Sequence, residues 1–161
     1  MSYVPSPEAR ERIDRAVAAY PEASAALLPV LHVVQGELGY VSKEAEAWIA
    51  ARLGLLPLRV REVLTFYTMF RRSPWGKTVI RVCRNLSCTL AGAEGVVAAL
   101  RRELGLGPDD GDTASDGSVT IVTSECLGNC DHAPCLQVDG VDRGPVTPEA
   151  AVAIVREIKG R

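Results

Sequence analysis

The sequence predicts two unlike halves: a small helical bundle, then an α/β domain in which strands pack against helices. Three observations carry that division. Helix start and stop signals recur through residues 6–70. Runs of β-branched residues first appear after the stretch "SPWGK" at 73–77. Beyond it the chain reads strand, helix, strand, strand, helix. The change of texture puts the boundary near Trp75, with residues 1–75 as the bundle and 76–161 as the α/β domain.

In the first half, Ser6 followed by Pro7 opens a helix, since a serine oxygen can accept an orphan N–H and proline at the first helical position has none to lose. Ser42 does the same for "KEAEAWIAARLG", which Gly54 stops, and Pro57 opens "PLRVREVLTFY". Between them "SAALLPVLHVVQGELG" places Leu27, Leu31, Val34 and Leu38 at helical spacing. Gly39 closes that pattern, and Pro29 is expected to delay or kink the helix.

In the second half "TVIRV" (78–82), "VTIVT" (119–123) and "LQVDG" (136–140) read as strands. "AGAEGVVAALRRELG" presents Val96, Val97, Leu100 and Leu104 on one helical face, and Thr147 with Pro148 opens "TPEAAVAIVREIK". The stretch "GLGPDDGDTASDG", with Asp109, Asp110, Asp112 and Asp116, reads as a solvated loop.

Composition narrows the function. At 161 residues and 47% hydrophobic, the chain has material for a packed core. No segment approaches the roughly 20 apolar residues that cross a bilayer, and no basic start leads into an apolar run, so membrane insertion is not expected and the cytoplasm is the expected compartment. Residues 1–75 hold nine basic and eight acidic side chains, and residues 76–161 nine and twelve. Neither half has the positive excess of a nucleic-acid binder. That balance counts against a DNA-binding redox regulator, which the helix, glycine turn and helix of "AEAWIAARLGLLPLRVREVLTFY" would otherwise suggest.

The chemistry lies in the cysteines. In a reducing compartment five of them, in local clusters, read as metal ligands or redox groups rather than as a disulfide frame. Cys83 and Cys88 form C-x4-C at the end of the first strand, and Cys126 and Cys130 form C-x3-C just after the second. Open α/β sheets bind ligands at such carboxyl ends, and Gly128 lets the second loop turn tightly enough for both sulfurs to face one point. Structural zinc and an iron–sulfur cluster both suit four thiols. Zinc closes four thiolates about a single ion, whereas a [2Fe–2S] rhomb is wider and takes one pair of cysteines on each iron, so two pairs on separate loops favour it over zinc, with a redox dithiol third. Cys135, in "APCLQV", matches neither pair and reads as a small buried hydrophobe with a free thiol, a spare ligand being the lesser alternative.

With both pairs placed, "VCRNLSCTLAGAE", "VTSECLGNCDHAP", "LLPVLHVVQGELGYVS" and "REVLTFYTMF" with a following "GK" resemble the thioredoxin-like [2Fe–2S] ferredoxin family. That family includes the E-type subunit of bacterial NADH-quinone oxidoreductases (respiratory complex I) and its counterparts in soluble NAD-linked hydrogenases and formate dehydrogenases. The resemblance runs from about residue 10 to the C-terminus. It implies a helical domain followed by a thioredoxin-like domain, one [2Fe–2S] cluster on Cys83, Cys88, Cys126 and Cys130, and an electron carrier without a substrate site of its own. It also implies a partner subunit that carries FMN and the NADH site, further iron–sulfur subunits, and a place on the cytoplasmic face of the membrane as part of a complex. A cysteine at position 135 departs from the family pattern.

The remaining motifs agree with a carrier. "GLG" at 105–107 runs into Pro108 rather than a helix, so it is no dinucleotide fingerprint, and the chain has no P-loop. "VREVLTFYTMFRR", with Phe66, Tyr67, Phe70, Arg71 and Arg72, is read as core plus a docking face for the flavin subunit, with Phe70 and Arg71 as the test positions. His32 and His132 are expected to be structural, and Trp48 and Trp75 to pack.

Overall fold

The computed structural model describes residues 3–107 and 111–160, so Pro108, Asp109 and Asp110 of the acidic stretch lie outside the described residues. The chain divides into two compact units, Met1–Pro74 and Trp75–Arg161.

The first unit is helical: α1 (Pro7–Ala18), a 3-10 turn (Ala23–Ala26), α2 (Leu27–Leu38), α3 (Lys43–Leu53) and α4 (Pro57–Phe66). Its punctuation works as the residue types dictate. The Ser6 hydroxyl accepts the Ala9 N–H and the Ser42 hydroxyl the Ala45 N–H, each at 3.2 Å. Gly39 and Gly54 end α2 and α3 in the left-handed conformation, at φ +80° and +66°. The helix does start late: α2 begins at Leu27, which leaves Pro29 in the first turn, where no intrahelical donor is required.

Ile13, Val30, Leu31, Val34, Ile49 and Val60 are wholly buried at the centre of this unit. Two side chains differ from expectation. Leu38, on the same face as the buried Leu27 and Leu31, is 37% exposed at the last position of α2, next to the Gly39 cap. Phe70 is a core residue at 6% exposure. Its ring lies 4.9 Å from that of His32, and Gln35 of α2 holds the chain on either side of it through the Met69 carbonyl and the Arg71 N–H. The aromatic left outside is Phe66, at 77%. Trp48 packs as expected, edge-on to Tyr3.

The second unit contains β1 (Thr78–Cys83), α5 (Leu86–Leu90), α6 (Ala93–Glu103), β2 (Val119–Ser124), a 3-10 turn (Cys130–His132), β3 (Leu136–Val138), β4 (Val141–Arg143) and α7 (Pro148–Lys159). The sheet order is β2–β1–β3–β4. β1 and β2 run parallel with Cys83 opposite Ser124, which requires the α5–α6 crossover between them, and the other two pairings are antiparallel. Ile80 and Val82 of β1 are buried with Val96 and Leu100 of α6 and Val155 of α7. The alternate residue Arg81 points the other way, its guanidinium 5.4 Å from the Trp75 ring centroid.

Two elements go beyond the sequence reading. "LQVDG" is not one strand: β3 stops at Val138, and Asp139 (φ +49°) and Gly140 (φ +85°) form a tight hairpin turn into the fourth strand, β4. A short helix, α5, fills the spacer of the first cysteine pair, with Asn85 at its N-cap. Gly76 explains the "GK" at the boundary. Its N–H donates to the buried Thr120 hydroxyl at 2.6 Å, and a Cβ there would lie 2.8 Å from the Val119 nitrogen. The backbone therefore approaches β2 as only glycine can.

Candidate metal centre

Two backbone devices bring the thiols to one end of the sheet. The parallel register of β1 and β2 sets Cys83 beside Ser124, two residues before Cys126, so both cysteine loops leave the sheet together. The helix α5 then turns Cys88 back over the end of β1, and its sulfur is buried with that of Cys83. Cys126 and Cys130 lie at the exposed rim. Gly128, at φ +73°, makes the turn between them and donates its N–H to the Cys126 sulfur at 3.3 Å.

The environment favours anionic sulfur at the inner position. Burial opposes ionisation of Cys83, but the N–H groups of Asn85 and Leu127 and the Cys88 and Cys135 thiols outweigh it, and its pKa falls below the ordinary thiol value. The contribution of Leu127 comes from the opposite loop, so the two cysteine segments already share a sulfur. Cys130 shifts upward, first through desolvation and then through the sulfurs of Cys126, Cys88 and Cys83. That mutual influence is what four like donors around a small space produce. Thiol donors with backbone N–H groups aimed at sulfur are a donor set that suits an iron–sulfur cluster.

Among the described residues, Cys83, Cys88 and Cys135 also form a group whose sulfurs lie within 4.8 Å of one another. Cys135 is buried at 2% exposure, as expected, but it is not isolated: its sulfur is 3.7 Å from that of Cys88, and burial followed by Cys88 pushes its pKa up to about 12. Sequence reasoning missed this contact. The reason lies in the strand register: "APC" runs into a strand that pairs antiparallel to β1, which returns position 135 to the end carrying Cys83.

The other candidates have partners other than the sulfurs. The His132 ring meets Asn129 at 3.0 Å and Asp131 at 3.1 Å through Nδ1. In the helix–turn–helix of α3 and α4, Arg61 donates to the buried Glu46 at 2.6 Å and Arg59 to Glu62 at 2.5 Å. The arginines that would meet DNA are thus engaged within the chain.

The sequence profile of the thioredoxin-like [2Fe–2S] ferredoxins matches residues 13–159. The chain belongs to that family. This thioredoxin-like [2Fe–2S] protein is 38% identical over 160 residues to the E-type subunit of the NADH-quinone oxidoreductase of Mycobacterium bovis, an alignment covering 98% of this chain and 63% of the relative. It is 36% identical over 150 residues to the Escherichia coli protein of the same name, covering 93% and 89%, and 35% identical over 153 residues to that of Pseudomonas aeruginosa, covering 95% and 91%. The chain thus spans less than two thirds of the mycobacterial relative's length. Its fold is similar to part of an NAD+-reducing [NiFe]-hydrogenase, with a TM-score of 0.63 at 20% identity, covering 83% of this chain and 23% of that one. Family membership makes a [2Fe–2S] cluster its cofactor, as the thiol-only donor set also indicates.

Proposed function

We propose that this chain is the electron-carrying E-type subunit of an NADH-quinone oxidoreductase, holding one [2Fe–2S] cluster through Cys83, Cys88, Cys126 and Cys130. The observation that carries the reading is the convergence of two cysteine loops on one sheet end in a chain that aligns along 93% of its length with a protein of that name. When bound, such a cluster accepts and returns one electron at a time. The residues supply the rest. Cys83 and Cys88 hold the inner side in a dry environment. Cys126 and Cys130 hold the rim, and Gly128, Asn85 and Leu127 direct N–H dipoles at sulfur to stabilise added negative charge.

In this reading the chain binds no nucleotide, and hydride chemistry on NADH and FMN belongs to a partner subunit against which the rim is held. Further iron–sulfur subunits carry the main path to quinone, on the cytoplasmic face of the membrane, and this cluster stands beside the flavin off that path, storing an electron. No helix among the described residues is long and apolar enough to cross the membrane. The helical unit, Met1–Pro74, serves as the docking domain. Its contact residues are Phe66 and Met69, 77% and 51% exposed at the end of α4, in place of the buried Phe70. The counterpart in a soluble NAD-linked hydrogenase, formate dehydrogenase or electron-bifurcating complex is the second reading. The hydrogenase likeness supports the fold that reading needs.

The test is to assemble the anaerobically purified chain with a flavin-binding partner subunit and add NADH. Appearance of a reduced [2Fe–2S] EPR signal that depends on the partner supports the carrier role. A cluster that dithionite reduces but NADH with the partner never does would contradict it.

A further inference from the structure

Cys135 is a buried thiol that the four-ligand site does not use, and its placement is over-determined. The Cys83 N–H donates to the Cys135 carbonyl at 3.1 Å, and the next residue, Leu136, pairs with Val82 in the β1–β3 ladder. Val146 donates to the Pro134 carbonyl at 2.8 Å. Behind it stands Gly144, where a Cβ would lie 3.2 Å from the Cys135 Cβ and 2.4 Å from the His132 carbonyl oxygen. The thiol is therefore pressed toward Cys88, whose sulfur lies 3.7 Å away, within the reach of a hydrogen bond between sulfurs.

We infer that Cys135 donates its thiol hydrogen to the Cys88 sulfur and so raises the reduction potential of the centre, acting as a positioning residue rather than a ligand. This rests on the reading that Cys83, Cys88, Cys126 and Cys130 hold the cluster. Cys88 is then a ligand sulfur and can only accept, whereas Cys135, which binds no metal in this reading, is the partner with a hydrogen to give across the 3.7 Å contact. Cys88 and Cys135 are 0% and 2% exposed, so the contact lies away from bulk solvent, where a dipole acts more strongly. A hydrogen bond to a ligand sulfur favours the more negative, reduced state. A packing role would need only the volume, which alanine and valine bracket from below and above.

The experiment uses the full chain purified without oxygen, as wild type, Cys135→Ala, Cys135→Val and Cys135→Ser, with iron and sulfide content and an EPR-monitored redox titration of each. The expected result is full cluster content throughout, with the Ala and Val variants harder to reduce by about two- to tenfold in equilibrium constant, the value of one hydrogen bond. The Ser variant, which keeps a donor, falls between them and wild type. Val is about one methyl larger than Cys and Ala is smaller, so the two bracket the volume, and Val carries the same readout if Ala does not fold. An unchanged midpoint in loaded Ala or Val protein would reduce Cys135 to packing. Loss of iron from folded Val protein, with iron retained in Cys126→Ser, would make Cys135 a ligand and overturn the inference. A wild-type chain without iron would instead remove the four-cysteine reading on which the inference rests.

Discussion

Gly128 shows how a single residue positions a ligand. At φ +73° it adopts a backbone conformation that costs an L-residue roughly 1–2 kcal/mol, while a Cβ there would meet no atom within 4 Å. Gly128→Ala should therefore destabilise the chain only modestly but pull the Cys126 sulfur off its N–H. The expected outcome is a Tm lowered by a few degrees together with faster iron loss to a chelator. Unchanged iron retention would show that the turn does not set the site. At this scale the sequence was most legible where chemistry is local: the two cysteine pairs and Gly128 could be read from spacing. The contact of Cys88 with Cys135 spans 47 positions and depends on strand register, so no local pattern announces it.

Among the elements, those with caps and long periodic faces were readable, because an N-cap serine or a C-terminal glycine acts within one turn. α5 was not, since five residues are too few to display a period. β4 was missed although Asp139–Gly140 is a hairpin signal: its three residues are all exposed and carry no alternation. The join of β1 to β2 gives a sharp test. Gly76→Ala places a Cβ 2.8–3.0 Å from Val119 and the Gly117 carbonyl, backbone that cannot yield cheaply. It should cost about 1–3 kcal/mol in urea unfolding of the full chain. Little or no change would mean that the close approach is relaxed in solution.

A second element-level test concerns α2. Its Glu37 accepts hydrogen bonds from the Tyr3 hydroxyl at 2.5 Å and the Ser6 N–H at 2.8 Å. Desolvation opposes these bonds, but they prevail, and the Glu37 carboxyl titrates below the usual glutamate value. A depressed folded-state pKa means the stabilisation is complete above the unfolded value of about 4.3 and is lost as pH falls through the folded one. Glu37→Gln should accordingly lower stability at pH 7 and flatten the acid limb of the stability curve below about pH 5. Parallel acid limbs in wild type and variant would contradict this.

For the whole molecule, the division into a helical and an α/β unit follows from where β-branched runs begin, and charge balance turned the reading away from nucleic acid. Composition could not say which aromatic faces outward. Phe66 and Phe70 sit four positions apart in one motif, yet Phe66 is 77% exposed and Phe70 lies beside His32 in the core. The docking proposal therefore predicts that Phe66→Ala with Met69→Ala weakens association with the flavin subunit about tenfold or more at unchanged Tm, whereas Phe70→Ala acts by unfolding. Full affinity in the double variant would remove this face from the interface.

The central claim is that the four cysteines hold an electron-carrying cluster, and its most direct test is iron, zinc and acid-labile sulfide content of the anaerobically purified chain, with EPR after dithionite reduction. About two irons and two sulfides per chain, with a rhombic or axial signal lost in Cys83→Ser, is the predicted result. Stoichiometric zinc without sulfide, in protein never exposed to oxygen or chelator, would contradict the account and leave a structural metal site in its place.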